Sequence, residues 1–189
     1  DSAQVAALTT GQIRALTTSQ VVAIETADLA GLNTTAIRAM ETDDVKALST
    51  DQIEALNSNQ LSALNTSQVR ALTTDQIAAV ETADLRAMTT GQIQALTSDQ
   101  TAALSTDQIS ALTSAEVRAI STTNIQALST DQIVALDSSQ VSALTTGQVR
   151  ALTTSQVAAI ETADLRAMGT AQVAALKTDQ AAALTTDQI

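Results

Sequence analysis

Four pairs of acidic residues have the spacing that chemistry would need. In each pair a Glu stands three residues before an Asp: Glu25 and Asp28, Glu41 and Asp44, Glu81 and Asp84, Glu161 and Asp164. At the start of a helix, two such carboxylates could share a calcium ion or act as acid and base. Acidic residues also suit the first turn of a helix without any ligand, with the Asp as a capping residue. Because no EF-hand or nonapeptide calcium loop is present, we favour the capping interpretation and keep the eight residues as calcium candidates.

A ladder of Thr and Ser residues is the second candidate site. Hydroxyl side chains recur in adjacent positions about every eight residues along the whole chain. A regular row of hydroxyls could bind carbohydrate, ice or an ordered lattice of water. Repeated helix N-caps would explain the same residues with no ligand at all. We therefore keep a ligand-binding surface for carbohydrate, ice or calcium as the alternative function.

The side chains of most catalytic and metal sites are missing. The chain has no His and no Cys, and its only lysines are Lys46 and Lys177. A nucleophilic site would need a Ser–Lys pair, and a zinc site has no usual ligand. We predict that the protein is not an enzyme and carries no cofactor.

Charge and composition exclude further classes of partner. The 189 residues carry a net charge of −11 with only nine Lys and Arg, which disfavours binding to nucleic acid or an anionic membrane surface. Hydrophobic residues make up 44% of the chain without any Phe, Tyr, Trp or Pro, so aliphatic side chains must form the core. No apolar run approaches the roughly 18 residues of a membrane span, and no signal peptide is visible. Since the first and last residues fall inside a repeat, we read the chain as a segment of a longer array.

The repeat is an octad, as in residues 48–55 and again in 56–63. We number its positions so that Leu8 and Leu16 occupy position 8. Positions 5 and 8 are almost always aliphatic, position 7 is Ala except at one Gly, and position 2 is always Thr or Ser. Position 4 is Gln in 17 of 24 octads. The pattern predicts one buried face made of positions 5, 7 and 8, which includes all three Met residues: Met40, Met88 and Met168.

An octad does not fit one long helix. Eight residues turn an α-helix through about 800°, so the apolar stripe would drift by about 80° per repeat and face no single partner. A β-solenoid is less favoured, because Ala and Gln are poor strand formers and no turn residues separate the octads. We predict an all-α solenoid or superhelix of short one-to-two-turn helices, one per octad. About 24 octads form a single continuous array over residues 1–189.

The helix start has two possible registers. In the first, Thr73 is the N-cap and Gln76 the third helical residue, which makes a capping box, with Leu72 and Ile77 as a hydrophobic staple. In the second, Thr74 is the N-cap, which would explain why position 2 admits only Thr or Ser. The sequence does not decide between them.

A slower period lies over the octad. Residues 9–88 and 89–168 form two 80-residue units with matching variable positions. Duplication of a block explains this, as does a superhelix whose environment recurs every ten or every five octads. Residues 40, 80, 120 and 160, which all depart from Leu at position 8, favour five. Position 6 carries seven Arg that we expect on a solvated face, where Arg70 could reach an acidic residue of an adjoining repeat.

The runs at residues 71–79 and 127–133 resemble octapeptide arrays of very large secreted or surface proteins of bacteria. Some of these are described as adhesin-like or haem-utilisation proteins. The resemblance covers the whole chain and implies an extracellular or cell-surface location and a structural role as a spacer, stalk or filament segment. A haem role finds no support, because only the three Met remain as conceivable axial ligands. Exposed end repeats suggest end-to-end self-association. The sequence does not identify a protein or carbohydrate partner.

Overall fold

The computed structural model describes every residue from Asp1 to Ile189 and contains 23 short α-helices and no strand. Each helix lies within one octad and has four to six residues. The prediction of an all-α solenoid with one short helix per octad is confirmed. The helices are α1 Ser2–Ala6, α2 Thr10–Ala15, α3 Thr18–Val22, α4 Thr26–Leu29, α5 Thr34–Ala39, α6 Thr42–Ala47, α7 Thr50–Glu54, α8 Ser58–Ala63, α9 Thr66–Ala71, α10 Thr74–Ala79, α11 Thr82–Leu85, α12 Thr90–Ala95, α13 Ser98–Ala102, α14 Thr106–Ala111, α15 Ser114–Ala119, α16 Thr122–Ala127, α17 Thr130–Val134, α18 Ser138–Ala143, α19 Thr146–Ala151, α20 Thr154–Ala159, α21 Thr162–Arg166, α22 Thr170–Ala174 and α23 Thr178–Ala182.

The helix starts at position 2, with position 1 as the N-cap. Thr73 has extended dihedrals, and its side chain accepts a hydrogen bond from the backbone N–H of Gln76 at 3.1 Å. Leu72 before it is also extended, with φ −56° and ψ 141°, so two extended residues separate consecutive helices. The register with Thr73 as the cap is therefore correct, and the register with Thr74 is wrong.

Positions 4, 5 and 8 form the core. The aliphatic residues of positions 5 and 8 are buried through most of the chain, and the three Met are buried as predicted. Ala at position 7 is mostly half-buried, whereas Gln at position 4 is buried in most repeats. The predicted buried face was thus wrong in one respect, because a polar residue takes a place in the core and Ala lies at its margin.

Within each of two compact parts of the chain, residues 1–95 and 96–189, helices pack against helices three repeats away along the chain. Thus α6 contacts α3 and α9, and α18 contacts α15 and α21. One turn of the solenoid therefore takes about three octads. The chain divides into two compact units, residues 1–95 and 96–189, and both are built in this way.

None of the helices is long and apolar enough to cross a bilayer.

Candidate functional site

The buried Gln at position 4 is the polar side chain that most needs an explanation. Gln76 is only 2% exposed. Its Oε1 accepts the backbone N–H of Thr73 at 2.8 Å, which completes the capping box. Its Nε2 donates to the carbonyls of Val45 and Leu48, at 3.0 and 2.6 Å. We call this arrangement, in which one Gln binds its own N-cap and carbonyls 31 and 28 residues earlier, the glutamine clamp.

The glutamine clamp recurs in both units. Its carbonyls belong to positions 5 and 8 of the octad four repeats earlier, at the C-terminal end of that helix. A helix leaves its last carbonyls and its first N–H groups without internal partners. The Gln side chain accepts one such N–H and donates to two carbonyls, and so joins the start of one helix to the end of another. The clamp is formed by Gln52, Gln60, Gln68, Gln76 and Gln92 in the first unit, and by Gln132, Gln140, Gln148, Gln156, Gln172, Gln180 and Gln188 in the second.

The acidic pairs occupy the same two positions of the octad. Glu25, Glu41, Glu81 and Glu161 are N-caps without a side-chain capping bond. Their partners stand at position 4, where Asp28 accepts a hydrogen bond from Ser2 at 2.8 Å and Asp164 accepts one from Ser138 at 2.5 Å. Asp84 accepts a short hydrogen bond from Ser58. The hydroxyl donor belongs to the helix three repeats earlier, so these Asp side chains connect repeats rather than cap their own helix.

Metal binding would need more ligands than one pair supplies. Nowhere in the structure do three or more acidic side chains group together in a way that could hold a metal ion. The structure therefore brings no third acidic ligand to any of the four calcium candidates.

The Ser–Asp contacts have a signal in the sequence that was missed. Five octads have Ser instead of Thr at position 2, and four of these Ser stand 26 residues before a short polar residue at position 4. The pairs are Ser2 with Asp28, Ser58 with Asp84, Ser98 with Asn124, and Ser138 with Asp164. The position-4 residues 44, 84, 124 and 164 all depart from Gln at intervals of 40 residues. Three of them, residues 84, 124 and 164, accept a Ser hydroxyl at intervals of 40 residues, which is five octads.

Asn124 forms a shortened version of the clamp. Its Nδ2 donates to the carbonyl of Leu96 at 2.7 Å, 28 residues earlier, as the clamp Gln does. Its Oδ1 accepts the hydroxyl of Ser98 at 3.2 Å. An Asp has the same shape but no N–H to donate, so a carboxylate at this position cannot bind the carbonyl.

Asp44 is the acidic candidate with a perturbed ionisation. It is 4% exposed, and burial raises the pKa of its carboxyl. A hydrogen bond from the backbone of Glu41 lowers that pKa, whereas the negative charges of Glu41 and Asp43 raise it, and the net direction is upward. Capping by Asp was predicted, and at Asp44 this bond to the N-cap backbone agrees with it.

The position-1 hydroxyls of the Thr and Ser ladder are capping groups. Position-1 hydroxyls accept the N–H of the third helical residue, and those of Thr9 and Thr17 also donate to the Gln Oε1 of their own box. Where position 1 lacks a capping oxygen, at Gly169 and Lys177, the Gln still accepts the backbone N–H at 2.8 and 2.7 Å. The Gln half of the box therefore persists without the Thr half.

Several Arg side chains at position 6 donate hydrogen bonds to backbone carbonyls. The Nε of Arg38, Arg70 and Arg118 donates at 3.3 Å to the carbonyls of Ala63, Ala95 and Ala143, respectively. Each carbonyl lies at the C-terminal end of the helix three repeats later, where a positive charge is favourable. The expectation of a merely solvated face was therefore incomplete.

Comparison with known proteins gives one result. A family model described as the ALTTAQ repeat matches residues 21–58, 53–80, 77–114, 111–146 and 157–189, which together span most of the chain. The curated proteins contain no match.

Proposed function

Because the chain belongs to the ALTTAQ repeat family, we propose that it is a non-enzymatic structural segment, a spacer, stalk or filament part, of a large secreted or surface protein of bacteria. The glutamine clamp is the observation that carries this proposal. Gln at position 4, which occurs in 17 of 24 octads, binds the N-cap of its own helix through its oxygen and carbonyls four repeats earlier through its nitrogen. A side chain so used positions helices and leaves little for binding a substrate.

The other recurrent polar groups support the same role. Position-1 hydroxyls cap helices, position-4 Asp accept hydroxyls of neighbouring helices, and position-6 Arg bind C-terminal carbonyls. No His or Cys is present to act as base, nucleophile or soft metal ligand. These polar groups therefore serve to hold the repeats of the array together.

The proposal extends to location and partners. The resemblance to bacterial surface arrays supports an extracellular or cell-surface location. The net charge of −11 supports a role without nucleic acid. We propose no cofactor and no insertion into a membrane.

An extension series tests the structural role. One or two further copies of residues 129–152 are inserted after residue 128, a point that lies between the Ser98–Asn124 and Ser138–Asp164 pairs. A spacer built by stacking should gain an equal increment of maximum dimension in small-angle scattering for each added turn, with unchanged ellipticity per residue. The matched control is a 24-residue insert of the same composition in scrambled order. A maximum dimension that does not grow with the repeated insert would overturn the proposal.

A further inference from the structure

Three helices of the first unit have Asn as the N-cap. They are α5, α8 and α9, which follow Asn33, Asn57 and Asn65. All three Asn are exposed, and their dihedrals are extended. They lie in the short links between helices, where a group added to the side chain meets solvent and displaces no core residue.

Capping uses only the oxygen of these side chains. The Oδ1 of Asn33 accepts the backbone N–H of Ala36 at 2.9 Å. The Oδ1 of Asn65 accepts the N–H groups of Ser67 and Gln68 at 2.9 and 3.0 Å. The Nδ2 of Asn33 and that of Asn65 make no hydrogen bond with the rest of the protein. Because the acceptor and the donors of an Asn amide are different atoms, a group attached to Nδ2 leaves the cap in place.

Two of the three cap Asn also begin an acceptor motif for N-glycosylation. Residues 33–35 are Asn-Thr-Thr and residues 65–67 are Asn-Thr-Ser, and both fit the motif Asn-x-Ser/Thr. No other Asn of the chain is followed by Ser or Thr two residues later. Position 3, which supplies the last residue of the motif, is Ser or Thr in only six of 24 octads, so the octad does not create the motif by itself.

Capping alone does not account for the last residue of each motif. Asn57 caps α8 through its Oδ1, which accepts the N–H groups of Asn59 and Gln60 at 3.0 and 3.1 Å, and it does so without any hydroxyl at position 3. The hydroxyls of Thr35 and Ser67 are exposed and make no hydrogen bond within the protein. The fold therefore uses the Asn oxygen, whereas the Asn nitrogen and the hydroxyl two residues later are both left accessible.

We propose that Asn33 and Asn65 are sites of N-glycosylation. The sugar donor is a glycosyl diphosphate, carried by a nucleoside or by a lipid. The Nδ2 forms a bond to C1 of the sugar, the bond between C1 and the diphosphate oxygen breaks with its electron pair on that oxygen, and the Nδ2 proton passes to a base of the transferase. The Oδ1 keeps its capping bonds, so the glycosylated chain keeps its helices. The inference goes beyond the structural role and adds a covalent modification to the surface of the array.

Sugar transfer to the purified, folded 189-residue chain tests the proposal. One arm supplies a soluble transferase for the Asn-x-Ser/Thr motif with a nucleoside diphosphate hexose. The other arm supplies a membrane transferase for the same motif with a lipid diphosphate oligosaccharide. The intact mass gives the number of sugars, and fragmentation of peptides gives their positions. We expect sugar on Asn33 and Asn65 of the wild type in at least one arm, and the arm that reacts identifies the carrier.

Variants that keep the cap Asn separate the motif from the cap. Thr35→Ala and Ser67→Ala remove only the hydroxyl of the motif, so each should lose one of the two sugars. Asn59→Thr completes the motif that begins at Asn57, which is the same kind of cap, and should add a third sugar. Thr123→Ala is the matched control, because it removes an exposed position-3 hydroxyl from an octad whose N-cap is Ser, and it should be modified like the wild type.

A wild type that stays unmodified in both arms, or one that carries sugar on Asn57, would overturn the proposal. A Thr35→Ala or Ser67→Ala chain that keeps both sugars would also overturn it. So would a glycosylated wild type with less ellipticity per residue than the untreated chain, since sugar on Nδ2 should not disturb the capping oxygen. The extension series above measures length and not sugar transfer, so its outcome is independent of these results.

Discussion

The Nε2 of Gln76 donates a hydrogen bond to the carbonyl of Leu48, 2.6 Å away and 28 residues earlier in the chain. The same amide accepts the N–H of Thr73 through its oxygen. One buried side chain thus closes the start of its own helix and the end of a helix four repeats back. This bond explains how helices of barely two turns, which would not persist alone in water, are held in an ordered array.

The same substitution at two different Gln residues separates the stability contributed by the clamp from the stability contributed by the capping box. Gln76→Ala and Gln12→Ala both remove the bond to the N-cap N–H. Only Gln76→Ala also removes the amide that donates to the buried carbonyls of Val45 and Leu48. The Val45 carbonyl keeps the N–H of Leu48 as a donor at 3.4 Å, so the Leu48 carbonyl is the group that loses most. We expect a loss of unfolding free energy of about 2–4 kcal/mol for Gln76→Ala, since each unsatisfied buried group costs about 1–3 kcal/mol. For Gln12→Ala we expect about 1 kcal/mol or less. Urea denaturation followed by circular dichroism measures both, and equal losses would show that the clamp adds nothing to the box.

The Ser138–Asp164 contact should stabilise the second unit. Ser138→Ala leaves a buried carboxylate without its hydroxyl donor, and we expect a loss of about 1–3 kcal/mol. Ser114→Ala is the matched control, because Ser114 occupies the same position of its octad but donates to a backbone carbonyl, at 3.2 Å. Its loss should be about 1 kcal/mol or less. Thermal melts of the two variants rank them directly; if Ser114→Ala melts at the lower temperature, the carboxylate contact is not the stronger one.

Asp44 should make the array less stable at neutral pH than at acidic pH. Burial raises the pKa of Asp44 above its ordinary value of 3.8. In the pH range between these two pKa values the folded state binds more protons than the unfolded state, so stability falls as pH rises through it. Asp44→Asn removes the buried charge and supplies an N–H of the kind that Asn124 donates to Leu96.

The variant should therefore melt at a higher temperature than wild type at neutral pH, and the gain should shrink as the pH approaches 3.8. Asp107→Asn is the control for loss of charge alone, because Asp107 is exposed and is not among the groups that shift the pKa of Asp44. A gain that does not depend on pH would contradict the assignment of the effect to the ionisation of Asp44.

The sequence predicts local structure better than contacts between repeats. Thr73 and Gln76 lie three residues apart in one octad, so their capping box follows from known helix-start chemistry. The hydrogen bond from Gln76 to Leu48 depends on how many octads make one turn of the solenoid. The eight-residue period of the sequence does not reveal that number. The sequence pattern did not predict the burial of Gln76 for the same reason, because the carbonyls that it binds lie four repeats earlier in the chain. The Ser58–Asp84 contact could have been found, since four Ser share the spacing of 26 residues to a short polar residue.

Deletion of single octads tests whether these long-range pairs set the register of the array. Removing residues 129–136 keeps every remaining octad in phase and leaves both members of the Ser98–Asn124 and Ser138–Asp164 pairs in place. Removing residues 145–152 also deletes one regular octad, but it places Asp164 opposite Thr130 instead of Ser138. Asp44 faces Thr18 in this way and receives no hydroxyl hydrogen bond from it. The second deletion should therefore lose about 1–3 kcal/mol more unfolding free energy than the first, as Ser138→Ala does. Urea denaturation of the two 181-residue chains, which are about equal in length and composition, gives this difference, and indistinguishable midpoints would show that any octad can be removed at the same cost.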